Sequence, residues 1–267
     1  MRCCCGYRSL VHRRSRRRDA TPTRSCRHTF VTCVTSCFSS DRPYGRHVTP
    51  VEASRELTVV IPCRNEADAL PGVLAAVPAE YRVVVVDNGS TDDTAAVARA
   101  AGATVVVESV PGYGSAVHAG IAAATTELVA VLDGDGSMAP DELPLLVAEL
   151  GPDVTMVAGR RRPVRGAWPW HARLGNWLLA HWLRRHYGLP VHDLAAMRVI
   201  RRSELVALGP LHPRSGYPLA LLAGAARAGW KVVERDVTYR PRTHGVSKVS
   251  GSVIGTVRAA RDFWSVR

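Results

Sequence analysis

Leu128-Val129-Ala130-Val131-Leu132-Asp133-Gly134-Asp135-Gly136 is the stretch on which the fold turns. Its apolar run is too short for an ordinary helix and too continuous for a half-exposed strand, so it reads as a strand buried on both faces. The chain then changes to alternating Asp and Gly, and the strand delivers two carboxylates at its carboxyl end. In open α/β sheets that end is where ligands bind.

The same pattern repeats outward from this stretch. Residues 57–61, 82–86 and 104–107 read as strands, with helical patterns over 66–77, 91–101 and 115–124 between them. Beyond the acidic turn follow a helix over 140–150 and a strand over 154–158 that ends in Gly159-Arg160. Alternating strands and helices predict an α/β fold with a Rossmann-like, mostly parallel sheet flanked by helices. The second half is less regular: a Trp- and Arg-rich helix over 168–187, a strand over 196–200, a helix over 219–228, a strand over 231–239 and a helix over 253–264.

A net charge of +12 over 267 residues suggests nucleic acid until it is mapped along the chain. Residues 1–56 hold twelve Arg and four acids, a net of +8, which leaves +4 for residues 57–267. The folded part is therefore only mildly basic and carries no recognition motif, so no nucleic-acid partner is expected. Six of the seven Cys also lie in residues 1–56, but Cys26, His28, Cys33 and Cys37 lack the paired spacing of a structural zinc site. Polar residues follow the Arg13–Arg18 cluster where a signal peptide needs an apolar core. Residues 1–56 are expected to be a basic, disordered extension or translated sequence upstream of a misassigned start. Residues 57–267 are expected to be one domain, with a regular half over 57–160 and a less regular half over 161–267. No run approaches the ~20 apolar residues that span a bilayer, so a cytoplasmic protein, peripheral where it meets membrane, is expected.

Two strand ends carry acids, Asp87-Asn88-Gly89-Ser90 and Asp133-Gly134-Asp135-Gly136. Carboxylates two residues apart beyond a strand can converge on one hard cation, Mg²⁺ or Mn²⁺, with positions left for phosphate oxygens. The plain alternative is an acidic turn, since Asp and Gly are ordinary turn residues. Likewise, Pro111-Gly112-Tyr113-Gly114 opens a helix and can either face a phosphate or only make a tight turn.

For the acidic strand ends, the order of motifs along the chain favours the ligand reading. Val60-Ile61-Pro62-Cys63-Arg64-Asn65-Glu66, Val86-Asp87-Asn88-Gly89-Ser90-Thr91-Asp92, Gly112-Tyr113-Gly114, Leu132-Asp133-Gly134-Asp135, Gly159-Arg160, His192-Asp193-Leu194 with Arg198, and Gly245-Val246-Ser247-Lys248 follow one another along the chain. From Leu57 to about Phe263 the chain resembles family 2 glycosyltransferases of the GT-A fold, and within them the dolichyl-phosphate mannose synthase-like, polyprenyl-phosphate branch. The resemblance implies a GT-A domain whose 57–160 half binds the nucleotide sugar and whose 161–267 half binds the acceptor, with Pro62, Asn65, Glu66, Asp87 and Asn88 lining the nucleoside pocket. It also implies that Gly114, Gly134 and Arg160 approach the donor and that Asp133 and Asp135 hold its diphosphate through metal. A synthase of this branch moves a hexose from GDP-mannose or UDP-glucose to a polyprenyl phosphate, with inversion, and some members work with a separate membrane-anchoring subunit.

A phosphate acceptor needs positioning cations more than a base, and Arg160, Arg198, Arg240 and Lys248 are the candidates. Asp193 is the base if the acceptor is instead a saccharide hydroxyl. Trp168, Trp170, Trp177 and Trp182 interleaved with Arg165, Arg173, Arg184 and Arg185 suit a membrane interface, or equally a packed helix with a basic outer face. Ala195-Ala196, Ala220 and Ser137 depart from the family pattern, which keeps a catalytically weakened nucleotide-sugar-binding homologue as an alternative.

Overall fold

A computed structural model of the chain describes residues 57–243 and Arg261. The expected extension, the terminal helix over 253–264 and the Gly245–Lys248 motif lie outside these residues, apart from Arg261 itself.

Seven strands form one sheet: β1 (Leu57–Cys63), β2 (Arg82–Asp87), β3 (Thr104–Val107), β4 (Leu128–Val131), β5 (Met156–Pro163), β6 (Met197–Arg201) and β7 (Val232–Tyr239), in the order β3-β2-β1-β4-β6-β5-β7. β1 pairs in parallel with both β2 and β4, and β2 with β3. These strands are joined by α1 (Leu70–Ala76), α2 (Thr94–Ala100) and α3 (Tyr113–Ala123), the crossovers that parallel pairing demands. β6 is the exception, inserted antiparallel between β4 and β5. It sets Arg198 opposite Val131 at the carboxyl end of β4.

Side chains of a strand alternate between faces, so each strand feeds two cores. On one face Val60, Val84 and Val86 pack with Val117 and Ile121 of α3, with Leu183 of α5 (Trp170–Tyr187) and with Leu219 and Leu222 of α7 (Tyr217–Arg227). On the other, Val59, Ile61 and Val85 pack with Leu70 and Val73 of α1, Ala98 of α2, and Leu143 and Leu146 of α4 (Leu143–Ala148). The outcome is a single α/β/α domain with a mostly parallel sheet.

Two boundaries differ from expectation for physical reasons. β5 continues to Pro163, past the predicted stop at Ala158, because Arg160, Arg161 and Arg162 stay in register with Asp236, Val237 and Thr238 of β7. Arg160 and Arg162 are matched by Asp236 on that strand and Arg161 by Asp193, and hydrophobic periodicity does not report that. A short helix, α6 (Arg202–Ala207), turns directly out of β6 where no helix was read. The Arg202 amide caps the turn by donating to the Glu127 carbonyl at 2.7 Å.

Candidate active site

β4 ends at Val131, and the Leu132 amide still donates to the Val60 carbonyl at 3.2 Å, so the acidic loop begins on the sheet itself. The loop can lie that close to β1 because residue 134 is Gly: a Cβ there would stand 2.6 Å from Cys63 Sγ. Asp135 is 3% exposed. Its Oδ1 accepts from the Ser137 amide at 2.9 Å, and its Oδ2 meets Arg242 Nη2 at 2.8 Å. Ser137 Oγ is buried and has no partner among the described residues.

Asp133 is half-buried two residues away. Burial first, and then the charge of Asp135, push its carboxyl up to about 6, against the pull of Arg198, Arg161 and Arg242. Two crowded carboxylates and an unbonded hydroxyl form an all-oxygen set that suits a hard cation such as Mg²⁺ or Mn²⁺. Among the described residues no three His, Cys, Asp or Glu side chains make a closed cage.

Three arginines surround this loop. Arg198 is fully enclosed: Nη2 donates to Tyr113 Oη at 2.9 Å, its guanidinium lies 5.7 Å from the Tyr217 ring centre, and Nε and Nη1 have no partner among the described residues. Burial pushes the Tyr217 phenol up to about 12, so it stays neutral beside that cation. Arg161 makes a bidentate pair with Asp193, Nε to Oδ2 at 2.8 Å and Nη2 to Oδ1 at 2.6 Å, while its backbone amide donates to the same Oδ2 at 2.7 Å. Trp168 stacks on that guanidinium at 4.1 Å. Arg242 reaches both Asp135 and Glu66 Oε1, the latter at 3.6 Å. Neither Arg161 nor Arg242 was singled out in the sequence. Strand parity could have found Arg161, but nothing local marks Arg242.

The structure divides the remaining candidates. Arg160 and Arg162 share the face opposite Arg161 and bind Asp236 at 2.6 and 2.7 Å, so the cation of the Gly159-Arg160 motif turns away from Asp133 and its neighbour takes that place. Asn88 is spent internally. Its Nδ2 donates to the Glu108 and Val110 carbonyls at 2.9 and 2.8 Å, and its Oδ1 accepts from the Gly112 amide at 2.7 Å. Gly114 is a packing position, since a Cβ would fall 2.0 Å from the His212 carbonyl oxygen, and the Ser115 amide at the start of α3 is taken by the Pro213 carbonyl at 2.8 Å. That helix start offers its amide to protein, not to a phosphate.

Asn65, Glu66 and Asp87 remain together at the ends of β1 and β2. Asn65 holds a left-handed backbone (φ 54°) and ties to the next strand loop, accepting from the Thr91 amide at 2.7 Å and donating its own amide to Ser90 Oγ at 3.0 Å. Asp87 Oδ1 accepts from the Ser90 amide at 2.9 Å. Pro62 pairs with Val86 between them. Arg240 is exposed and meets the loop only through its amide, which donates to the Ser137 carbonyl at 2.9 Å. Lys248 lies outside the described residues.

Comparison with known proteins follows the same geometry. The model of glycosyl transferase family 2 matches residues 58–202, which span every strand of the site described above except β7. The chain belongs to glycosyl transferase family 2. It is 60% identical over 215 residues to an uncharacterized glycosyltransferase of Mycobacterium tuberculosis, covering 80% of this chain and 99% of that one. It is 30% identical over 244 residues to a polyprenol monophosphomannose synthase of Mycolicibacterium smegmatis, covering 84% and 92%. Among solved structures, glucosyl-3-phosphoglycerate synthase of M. tuberculosis with Mn²⁺, UDP and glucosyl-3-phosphoglycerate superposes with a TM-score of 0.65 at 25% identity, over 85% of this chain and 86% of that one. The chain is a glycosyltransferase with a GT-A-type fold.

Ionised Asp133 works against the fold. Its raised carboxyl pKa makes the penalty absent below the solvated value of 3.8, growing between 3.8 and about 6, and complete above that. In EDTA at pH 7.5, Asp133→Asn is expected to stabilise the protein by about 1 kcal/mol, a Tm rise of about 2–4 °C, with the gain gone near pH 4. A lower Tm than wild type at pH 7.5 contradicts this. Asp193→Ala strands the enclosed Arg161 and is expected to cost about 3–5 kcal/mol in denaturant unfolding, with Arg161→Met in the same chain recovering part of it.

Proposed function

We propose that the chain transfers a hexose from a nucleoside-diphosphate sugar, GDP-mannose or UDP-glucose, to the phosphate of a polyprenyl lipid, with inversion at the anomeric carbon. Arg198 carries this reading. An enclosed guanidinium with two unpartnered donors is costly unless an anion completes it, and its charge already reaches Asp133. A phosphate monoester supplies that anion. It is ionised near neutral pH, so its oxygen attacks without losing a proton to a base.

Asp193 fits this chemistry better than it fits the alternative. Its carboxylate is held by Arg161 at both oxygens and accepts from the Ala195 amide at 3.3 Å, which occupies its lone pairs and fixes its direction. It is a positioning residue for Arg161, whose cation faces the same loop. A saccharide hydroxyl acceptor would need a base that this carboxylate is poorly placed to be.

Asp133 and Asp135 would hold Mg²⁺ or Mn²⁺, with Ser137 Oγ beside them. When bound, the cation neutralises the departing nucleoside diphosphate. Pro62, Asn65, Glu66 and Asp87 line the nucleoside side, while Asn88 and Gly114 shape it from behind. Lys248 is a second phosphate cation. The metal and the donor class are supported by the M. tuberculosis synthase, which crystallises with Mn²⁺ or Mg²⁺ and UDP. The acceptor class is supported by the synthase of M. smegmatis.

The lipid also implies a membrane surface. Trp170, Leu174, Trp177 and Leu178 of α5 are exposed by 75, 48, 53 and 53%, and their spacing puts them on one helix face. With Arg173 on the same helix, that face suits the headgroup region of an anionic bilayer. Among the described residues no helix is long and apolar enough to cross a membrane, and the proposal places the protein peripherally on the cytoplasmic face.

The test is a screen of radiolabelled nucleotide sugars with membrane extract. Label is expected in a mild-acid-labile lipid fraction, with Asp135→Ala lowering it at least 100-fold. Label confined to polysaccharide or protein contradicts the acceptor. Trp170→Ser with Trp177→Ser is expected to cut sedimentation with anionic vesicles at least tenfold and to leave the Tm within about 1 °C, since neither ring is buried. Undiminished sedimentation contradicts the membrane face.

A further inference from the structure

Arg242 lies on the segment that leaves β7, and it spans two carboxylates from different parts of the fold. Nη2 is 2.8 Å from Asp135 Oδ2 at the end of β4, and Nη1 is 3.6 Å from Glu66 Oε1 beyond β1. Both carboxylates are nearly buried, at 4 and 10% exposure, while the guanidinium is 27% exposed. The charge of Arg242 is also felt at Asp133. The same segment is fastened to the acidic loop by its backbone. The Thr243 amide and Oγ1 each lie 3.3 Å from the Asp135 carbonyl oxygen, and the Arg240 amide donates to the Ser137 carbonyl.

Enclosed carboxylates without a counter-ion are expensive, and here a side chain supplies one. A divalent cation on Asp135 needs the oxygen that Arg242 occupies. The two cations cannot share that site, because like charges a few ångströms apart in a half-buried setting repel strongly.

We propose that Arg242 is the resident counter-ion of the cation site: it neutralises Asp135 and Glu66, is displaced when a divalent cation binds, and in leaving releases the 240–243 segment from the acidic loop. The inference rests on the reading of Asp133 and Asp135 as the cation site. It makes metal binding an exchange of one cation for another, so removing the resident one strengthens the incoming one.

The test measures Mn²⁺ affinity by electron paramagnetic resonance on the full chain, without nucleotide and again with UDP or GDP. Arg242→Gln is expected to bind Mn²⁺ about tenfold more tightly than wild type without nucleotide. Arg240→Gln removes the same charge from an exposed side chain two residues away and is expected to change affinity less than threefold. Equal changes in the two variants, or weaker binding by Arg242→Gln, overturn the proposal. Wild type that binds Mn²⁺ with neither nucleotide overturns the cation site and this inference together. Binding by wild type with no gain in Arg242→Gln overturns this inference alone. A second measurement needs no variant: Mn²⁺ is expected to speed amide hydrogen exchange of wild type at residues 240–243, and unchanged or slower exchange overturns the release.

Discussion

Charge confined at the carboxyl end of β4 is the constraint on which the site depends. Asp133 and Asp135 stand two residues apart in a loop pressed against β1, and burial and mutual repulsion raise Asp133 to about 6. Arg161, Arg198 and Arg242 surround the pair, each delivered by a different element. The first lies on β5, the second on the inverted strand β6, and the third on the segment beyond β7. None of the three balances the site alone. Arg161 is tied to Asp193, Arg198 leaves two donors unpartnered, and Arg242 is shared with Glu66.

This arrangement explains why one strand of a parallel sheet runs the wrong way. β6 enters from the second half of the chain and places Arg198 beside Val131, so the cation reaches the acidic loop from within the sheet. The loop and strand ends that meet it are stiffened by protein contacts: Asn88 fixes the loop up to Gly112, and His212 and Pro213 pack on the start of α3. A preorganised polar site of this kind is paid for in stability, and Asp133 is where the cost is concentrated.

Much of the fold was legible in the sequence. The buried strands β1, β2 and β4 are runs of Val, Leu and Ile that hydrophobic pattern identifies, and the acidic turn announces itself by its Asp-Gly alternation. The extension of β5 was not legible, because Arg160–Arg162 look like a loop until Asp236 on β7 and Asp193 ahead of β6 are known as their charge partners. For the same reason the motif arginine was read at 160, whereas strand parity turns Arg161 to the site. Asn88 and Gly114 stand in motif positions but act through packing, and spacing alone does not separate a residue that touches a ligand from one that holds the loop behind it. Arg242 has no local signature at all. It is found only when the chain returns to β4 from a hundred residues away.

Under the proposed function, the acceptor phosphate completes the enclosed Arg198. The direct measurement is a ³¹P NMR titration of a short-chain polyprenyl phosphate against wild type and against Arg198→Gln, with the Tm of each as a check on folding. The account predicts a saturable shift or broadening with wild type, weakened at least tenfold in the variant. Equal binding by the two proteins would contradict it.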